Sequence, residues 1–216
     1  MTGEEALTML MARLGGRTNT TLWANILLEM NQTQKRLERG PFLPWFLITD
    51  DDSLTLTVNS RILELPTDFL RELDEEGLVE IQNEDGEWVS CTKEDYDYLY
   101  GKYGSNKTSE LPLEYALVGS DLHFFPIPEV ASPIRLSYYG AATAIADDSS
   151  EPAWLKYAAD WIMGETGIIV ASLHVREDAD VVGYFTSLAK AGRDAVYAAH
   201  IARQEANTNR NMGEPE

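Results

Sequence analysis

The sequence predicts an α+β protein: a four-helix bundle formed by N- and C-terminal helix pairs, with an inserted, mostly antiparallel β lobe and a flexible C-terminal tail. Two observations predict this class. The apolar residues recur with a helical period up to residue 40, alternate from about 49 to 139, and return to a helical period after Pro152. A rigid apolar segment, residues 40–47, stands at the first of these changes.

The predicted domain boundaries follow the changes of period. Residues 1–44 form the N-terminal helix pair of the bundle, and residues 45–149 form the inserted β lobe. Residues 150–203 form the C-terminal helix pair, and residues 204–216 form a C-terminal arm. The arm is polar and Asn-rich, and Met212 is its only large apolar residue, so we expect it to be flexible.

The first helix begins with a capping-box pattern, in which Thr2 precedes Glu5 by three residues. A second helix runs from about residue 20 to 39. We interpret the apolar stripes of both helices as packing surfaces within the protein's own bundle, with partner binding as the alternative. The two stripes are Leu7, Leu10, Met11 and Leu14, and then Leu22, Ile26, Met30, Thr33 and Leu37.

The second helix is followed by Gly40-Pro41-Phe42-Leu43-Pro44-Trp45-Phe46-Leu47. The glycine and the two prolines stop the helix and force an extended path. The aromatic and aliphatic residues in this path are typical of a core rather than of a loop. The segment is therefore predicted to be a junction between the helices and the first strand.

The β lobe is predicted from alternating runs separated by turn residues. Asp85-Gly86 and Gly119-Ser120 are the strongest hairpin signals. The Pro-led segment 66–73 is predicted to form one or two helical turns. The remaining predicted elements are strands at 54–58, 61–65, 78–82, 88–92, 113–118, 121–125 and 134–139, and a short helix at 93–103.

Helical period returns after the acidic, proline-bearing segment 147–152, which is typical of a helix start. A third and a fourth long helix follow, and small residues on the fourth would permit close helix approach, within one subunit or between subunits. The buried faces are predicted to be Leu155, Ala158, Ile162, Ile169 and Leu173, and then Val181, Phe185, Leu188, Gly192, Val196 and Ala199. The small residues are Ala189, Ala191, Gly192, Ala195, Ala198 and Ala199.

Composition excludes several functions. The chain has 216 residues, 36 of them acidic and 17 basic, for a formal net charge of −19. Ordinary DNA binding needs a basic face, so we do not expect it; an acidic surface would instead repel DNA that passes close by. The single cysteine, Cys91, excludes an intrachain disulfide. The first residues have no signal-peptide pattern, and no segment is apolar enough to span a membrane.

We find no constellation that predicts catalysis, a cofactor or a metal. His123, His174 and His200 do not stand at metal-ligand spacing, and Asp50-Asp51-Asp52 fails the EF-hand pattern because the sixth and twelfth positions are Thr55 and Arg61. Paired carboxylates could support a glycosidase, but a pair chosen from 36 acids is uninformative. Residues 50–97 contain 16 acids and three basic residues, which predicts either a solvated lobe or a surface facing DNA.

Three features in this order resemble the adaptor (head-to-tail connector) proteins of tailed bacteriophages. The first is the junction at residues 40–47. The second is Leu63-Glu64-Leu65-Pro66-Thr67-Asp68-Phe69-Leu70-Arg71-Glu72, a strand ending in a Pro-led turn. The third is the stretch 115–139, with Phe125-Pro126-Ile127-Pro128 and Ile134-Arg135-Leu136-Ser137-Tyr138-Tyr139 before the third helix. The resemblance extends over most of residues 5–200.

The resemblance implies a structural virion protein, assembled in the host cytoplasm, that forms a ring, commonly of twelve copies, beneath the portal protein. Such a ring extends the DNA channel without specific DNA binding and is a platform for a tail nozzle or tail tube protein. No catalytic residues are implied. Members of such families often bind the portal through a C-terminal arm, for which we name Arg203, Asn207, Arg210 and Met212.

The channel wall of the ring is expected to be acidic, and Asp74, Glu75 and Glu76 are candidates for lining it. Two alternatives from other classes remain at this point. The first is a virion cell-wall hydrolase that uses paired carboxylates. The second is an acidic inhibitor that mimics DNA, which would be compact and monomeric or dimeric.

Overall fold

The structure, a computed structural model, describes residues 1–15, 20–73, 79–173 and 179–211, with the backbone alone for 207–211. The chain folds into two units. The helical unit comprises Met1–Leu47 and Ala142–Glu216, and the β unit comprises Ile48–Ala141. Helices and antiparallel-rich sheets are both present, so the predicted α+β class is confirmed.

The helical unit contains five of the six α-helices in the described residues, and a short 3₁₀-helix, Trp45–Leu47. The sixth helix, α3 (Tyr96–Tyr103), belongs to the β unit. The helices of the helical unit are α1 (Gly3–Arg13), α2 (Thr20–Glu38), α4 (Ala153–Tyr157), α5 (Ala159–Leu173) and α6 (Ala179–Asn211).

The first two helices form as the sequence predicts. The Thr2 hydroxyl accepts a hydrogen bond from the backbone N–H of Glu5, and the Glu5 carboxylate accepts one from Thr2, so the capping box is confirmed. This pair satisfies N–H groups that have no partner within the helix. The predicted stripes are largely buried, and the buried positions include Leu7, Leu10, Met11, Leu14, Leu22, Ile26, Met30 and Thr33.

Helices α5 and α6 approach each other closely because glycines lie at their contact. A Cβ atom on Gly192 would lie 2.3 Å from the backbone nitrogen of Trp161, and one on Gly164 would lie 2.4 Å from that of Ala189. A Cβ on Gly167 would lie 2.3 Å from the ring of Phe185. The small residues at 189 and 192 therefore serve packing within the chain, and α5 also contacts α1, α2 and α4.

The C-terminal half of the helical unit differs from the prediction in two ways. The third helix is divided into α4 and α5, because Ala158 has φ −139° and ends the first piece. Leu173, predicted to be buried, is 69 % exposed. The spacing of the apolar residues could not show either feature. The helical spacing continues through Ala158 without a break, and it also includes Leu173, which is exposed.

Helix α6 continues to Asn211, whereas the sequence predicted that regular structure ends at 203 and a flexible tail begins. The prediction of a tail rests on the Asn-rich composition of this segment and on the lack of large apolar residues other than Met212. Gln204, Glu205 and Ala206 are good helix formers, and no glycine or proline interrupts the chain before Gly213. The predicted arm therefore begins as a polar helix.

The β unit contains eleven strands among the described residues, and most pairs are antiparallel. The larger sheet has the order β1-β11-β4-β5, with β3 also paired to β11, and the smaller has the order β2-β9-β8-β6. Strands β7 and β10 form a parallel pair. The strands are β1 (Ile48–Leu56), β2 (Ile62–Glu64), β3 (Phe69–Glu72), β4 (Val79–Gln82), β5 (Trp88–Ser90), β6 (Thr92–Lys93), β7 (Thr108–Ser109), β8 (Glu114–Val118), β9 (Asp121–Phe125), β10 (Ile127–Pro128) and β11 (Ser132–Gly140).

The two predicted hairpins are confirmed. Strands β4 and β5 pair antiparallel around Gly86, which has φ +82°. Strands β8 and β9 pair around Gly119, which has φ +66°. Both backbone conformations belong to the left-handed region that glycine adopts without strain.

The segment 66–73, predicted to form helical turns, instead contains strand β3. Its residues pair with β11, for example Glu72 with Tyr138. The phenol of Tyr138 also donates a hydrogen bond of 2.9 Å to the Asp68 carboxylate. Pairing with a strand about seventy residues later overrides the local helical pattern, and such pairing is not visible in a local sequence window.

Both larger sheets contribute to one apolar core, and α3 covers a second cluster. Alternate residues of β9 divide between the two: Leu122 and Phe124 lie in the main core, whereas Phe125 packs with Leu99 and Ala116 under α3. The main core consists of Leu56, Leu63, Val79, Ile81, Cys91, Tyr115, Leu122, Phe124, Ile134, Leu136 and Tyr138.

Candidate assembly surfaces

Helix α2 binds the segment that returns from the β unit through a row of polar side chains. The Asn31 amide donates a hydrogen bond of 2.9 Å to the carbonyl of Ile145 and accepts one of 3.0 Å from its N–H. One turn later, the Gln34 amide donates to the carbonyl of Ala142 over 2.8 Å. These bonds satisfy backbone groups that have no strand partner. We call residues 142–152 the return segment.

Glu38 completes this row and is buried, with 6 % exposure. Its Oε1 atom accepts hydrogen bonds from the N–H of Ala142 at 3.2 Å, the indole of Trp154 at 2.9 Å and the amide of Gln34 at 3.1 Å. A carboxylate can be buried when several donors surround it. This network was not predicted, although the polar positions 31, 34 and 38 lie at helical spacing beside the apolar stripe.

The return segment also binds the start of α1. The N–H groups of Gly3 and Glu4 donate to the carbonyls of Ser150 and Asp148, at 3.2 and 3.1 Å. A Cβ atom on Gly3 would lie 1.8 Å from the carbonyl oxygen of Ala146, so only glycine fits there. The polar contacts of the helical unit therefore hold its own chain together.

The apolar junction at residues 40–47 packs against helices of the same unit. The ring of Phe42 stacks on Tyr197 of α6, with 3.9 Å between ring centroids. The ring of Phe46 stacks on Tyr157 at 5.5 Å and contacts Trp154 edge-on at 5.2 Å. Aromatic pairs of this kind add to the stability that burial provides.

A shallow groove opens beside this aromatic cluster. The guanidinium of Arg203 lies 4.7 Å above the ring of Trp45, and the ammonium of Lys156 lies 5.0 Å from the ring of Tyr157. The groove has a volume of about 280 Å³. Asp160 is the sole carboxylate among its lining residues, which are Trp45, Lys156, Tyr157, Ala158, Ala159, Asp160, Gly192, Ala195, Val196 and Ala199.

The predicted portal-binding arm is described in part. Arg203 lies on α6 and contacts Trp45, which ties the beginning of the arm to the helical unit. Asn207 and Arg210 lie on the last turns of α6, but their side chains are outside the described residues, as is Met212 altogether. The described part of the structure shows no contact between any two of these four residues.

The predicted channel acids Asp74, Glu75 and Glu76 also lie outside the described residues. Other acids of the β unit are exposed on its surface. They include Asp50 and Asp52 on β1 and the group at the β4–β5 turn, which consists of Glu84, Asp85 and Glu87. The described surface of the β unit is therefore acidic at these positions.

Helix α3 carries a different kind of surface. Tyr98 is 55 % and Tyr100 is 45 % exposed. The ammonium of Lys102 lies 5.8 Å from the Tyr98 ring, and that of Lys107 lies 4.8 Å from the Tyr103 ring. This combination of cations and exposed aromatic rings was not predicted, although four tyrosines between residues 96 and 103 were a visible signal.

Among the reactive side chains, Cys91 is buried, whereas His123 and His200 are half-buried. Burial, together with the charge of Glu80, raises the pKa of Cys91 to about 12. Burial lowers the pKa values of His123 and His200 below the ordinary value, and each has a buried Nδ1 atom without a hydrogen-bond partner in the described structure. No group of metal-binding side chains occurs within the described ranges, which do not include His174.

The polar network around Glu38 and the aromatic contacts of residues 40–47 join segments of the chain to one another. The chain belongs to the SU10 adaptor protein family, whose model matches residues 1–213. No curated protein matches the sequence. The resemblance to phage adaptor proteins is thus confirmed, and family membership implies a structural virion component that associates with portal and tail proteins. None of the described helices is long and apolar enough to cross a lipid bilayer.

Proposed function

We propose that this protein is a head-to-tail adaptor that docks beneath the portal, extends the DNA channel and provides the attachment platform for tail proteins. The observation that carries the proposal is the family match over residues 1–213, which includes both units. Further support comes from the contacts that hold the helical unit together, because a ring subunit must remain folded while its outer surfaces bind several partners.

In this proposal the protein forms a homo-oligomeric ring of twelve copies. Helices α1, α2, α5 and α6 form the four-helix bundle of each subunit, and the contacts of α5 with the other three support this arrangement. The β unit is the inserted lobe, and residues 204–216 are the arm.

The arm attaches the ring to the portal through Arg203, Asn207, Arg210 and Met212. The continuation of α6 to Asn211 supports this role, since a helix without an apolar stripe gains little from packing on its own subunit. Arg203 and Arg210 would pair with carboxylates of the portal.

The channel side of the ring is acidic, with Asp74, Glu75 and Glu76 among the lining residues. The formal charge of −19 per chain supports a negatively charged channel wall. Neutralising DNA phosphates would add affinity through counterion release, and tight contact would obstruct DNA passage. Repulsion between charges is screened beyond about 8–10 Å at working salt, so the charges act near the passing duplex.

Co-sedimentation with purified portal rings tests this function. The full chain is expected to co-sediment, and a chain truncated after Ala206 is expected to fold but to lose stable attachment. The matched control replaces residues 207–216 with a Gly/Ser segment of equal length, which separates the chemistry of the arm from its length. Unchanged co-sedimentation of the truncated chain would contradict the role of the arm, and absent binding by the full chain would contradict portal docking.

The proposed role includes no catalysis. The family is an adaptor family rather than an enzyme family, and this supports the absence of activity. Purified protein is expected to leave peptidoglycan intact in a turbidity assay. Clearing that is lost on substitution of single carboxylates would favour a hydrolase instead.

A further inference from the structure

We propose that the groove beside Trp45 binds an acidic segment of the portal protein, with an apolar side chain of that segment lying on the groove floor. The inference rests on the proposed function, because it adds a second contact with the portal next to the arm. The groove belongs to the helical unit, and all the residues that line it are described.

The floor of the groove consists of small residues. On α6 it is formed by Gly192, Ala195 and Ala199, and on the opposite side by Ala158 and Ala159. Ala195 is exposed to solvent. Since no long side chain of the floor fills the space, about 280 Å³ is open to a side chain of a partner. Protein interfaces commonly place an apolar anchor in a pocket of this kind.

Aromatic rings form the walls of the groove. Tyr157 is 44 % exposed and Trp45 is half-buried, with 6.2 Å between their ring centroids. The ring of Phe46 contacts both, at 5.5 Å from Tyr157 and 5.4 Å from Trp45, so the two rings are held in position. Rigid aromatic rings that remain accessible in the folded chain are typical of protein interfaces.

Two cations lie at the rim of the groove. Lys156 and Arg203 take part in none of the ion pairs of the described residues. Each lies over a wall ring, Lys156 at 5.0 Å from the centroid of Tyr157 and Arg203 at 4.7 Å from that of Trp45. A cation–π contact orients a cation without removing its charge. Both charges are therefore available to carboxylates of a partner.

The neighbouring acids leave this local excess of cations in place. Asp160 is the one carboxylate that lines the groove, and it also lines a small cavity together with Arg13. On α6, Asp194 and Glu205 each lie two positions after a residue at the groove, which is about 200° around the helix, so they lie on its far side. Two cations to one carboxylate, in a chain with 36 acidic and 17 basic residues, favour an acidic partner.

The position of the groove favours the portal as the occupant. Arg203 is a cation of the rim and also the first residue that we assign to the portal-binding arm, so a portal bound by the arm lies beside the groove. Membership of the adaptor family supports a portal partner on separate grounds. A tail protein with an acidic segment is the competing occupant, and the experiments distinguish the two.

A bulkier floor tests the proposal with the full chain. Ala195→Leu fills part of the groove and is expected to raise the Kd for purified portal rings at least about tenfold, because anchor pockets carry much of the binding energy. Co-sedimentation titrations measure the Kd. Ala198→Leu is the matched control, since Ala198 is an exposed alanine of the same helix that does not line the groove, and it should bind as the wild type does.

Charge reversal at the rim tests the chemistry of the occupant. Lys156→Glu is expected to raise the Kd about tenfold, since like charges across an interface are strongly unfavourable. Binding should also become less sensitive to salt than that of the wild type. Lys190→Glu, an equal charge change at an exposed position on the far side of α6, is the matched control. Thermal unfolding of each variant confirms that its fold is intact.

The outcomes separate this inference from the proposed function. Full-length wild-type chain that does not bind portal rings would contradict the proposed function and this inference with it. Wild-type binding together with an unchanged Kd for Ala195→Leu and Lys156→Glu would overturn the inference alone. Variants that bind the portal normally but no longer bind a tail protein would also overturn it. Weaker binding by Ala195→Leu but not by Lys156→Glu would overturn the acidic character of the occupant.

Discussion

The two units of this protein differ in where their packing leaves no room for change. In the helical unit, Gly164 and Gly192 allow the backbones of α5 and α6 to approach each other closely. In the β unit the core is filled by large side chains from two sheets, including Phe124. The helical unit should therefore be sensitive to added atoms, and the β unit to removed atoms.

The largest effect is expected from removing atoms in the β unit. Phe124→Ala should lower the free energy of unfolding by about 3–5 kcal/mol, because the 0 % exposed ring leaves a cavity between the sheets. Urea denaturation measures the change. Phe124→Leu keeps most of the apolar volume and should be markedly less harmful. Equal losses for both variants would contradict the account of a tightly filled core.

An added methyl group should destabilise the helical unit. Gly192→Ala places a Cβ atom 2.3 Å from the nitrogen of Trp161, so α5 and α6 must separate, at a loss of about 2–3 kcal/mol. Gly183→Ala is the control on the same helix, since a Cβ there meets nothing within 4 Å. It should raise stability by about 0.5–1 kcal/mol through higher helix propensity. The comparison fails if both substitutions stabilise the protein.

Loss of the buried carboxylate should have a smaller effect. Glu38→Ala leaves three donors without their acceptor and should lower the free energy of unfolding by about 2 kcal/mol. Glu38→Gln retains a carbonyl acceptor and should lose less. Chemical denaturation of both variants tests the difference. A neutral Glu38→Ala would show that the return segment does not depend on this network.

The smallest effect concerns pH. Burial lowers the pKa of His200 below the ordinary value of 6.5, so the folded protein holds this imidazole neutral. The stability that depends on the neutral form is complete above pH 6.5 and is lost as the pH falls from there through the lowered pKa. His200→Phe should therefore show a shallower decline of Tm between pH 7.5 and 5.5 than the wild type. Parallel declines would contradict this.

The sequence predicted what depends on local period. The stripe that includes Leu22, Ile26 and Met30 is buried because a helix repeats every 3.6 residues. The turns at Gly86 and Gly119 were predicted because few residues adopt positive φ. The family was also predicted from the order of its motifs, and the match over residues 1–213 confirms it.

Contacts between distant parts of the chain could not be predicted in the same way. Strand β3 depends on pairing with β11, and the burial of Glu38 depends on donors at Ala142 and Trp154, more than a hundred residues later. No local pattern encodes such partners. Of the candidate site residues, Arg203 is described with its contact to Trp45, and the roles of the arm and of the channel acids remain proposals.

The pairing of β1 with β11 has a consequence for how this chain can be rearranged. Ile48 and Tyr139 are directly opposite each other in the sheet, so the β unit begins and ends on neighbouring strands. Neighbouring strands lie only about 5 Å apart. A segment whose two ends are this close can be excised and replaced by a short linker, or exchanged for another insert, without rethreading the helices. Residues 48–141 are thus an exchangeable insert, and recombination at its two ends would vary the β unit while keeping the helical unit unchanged.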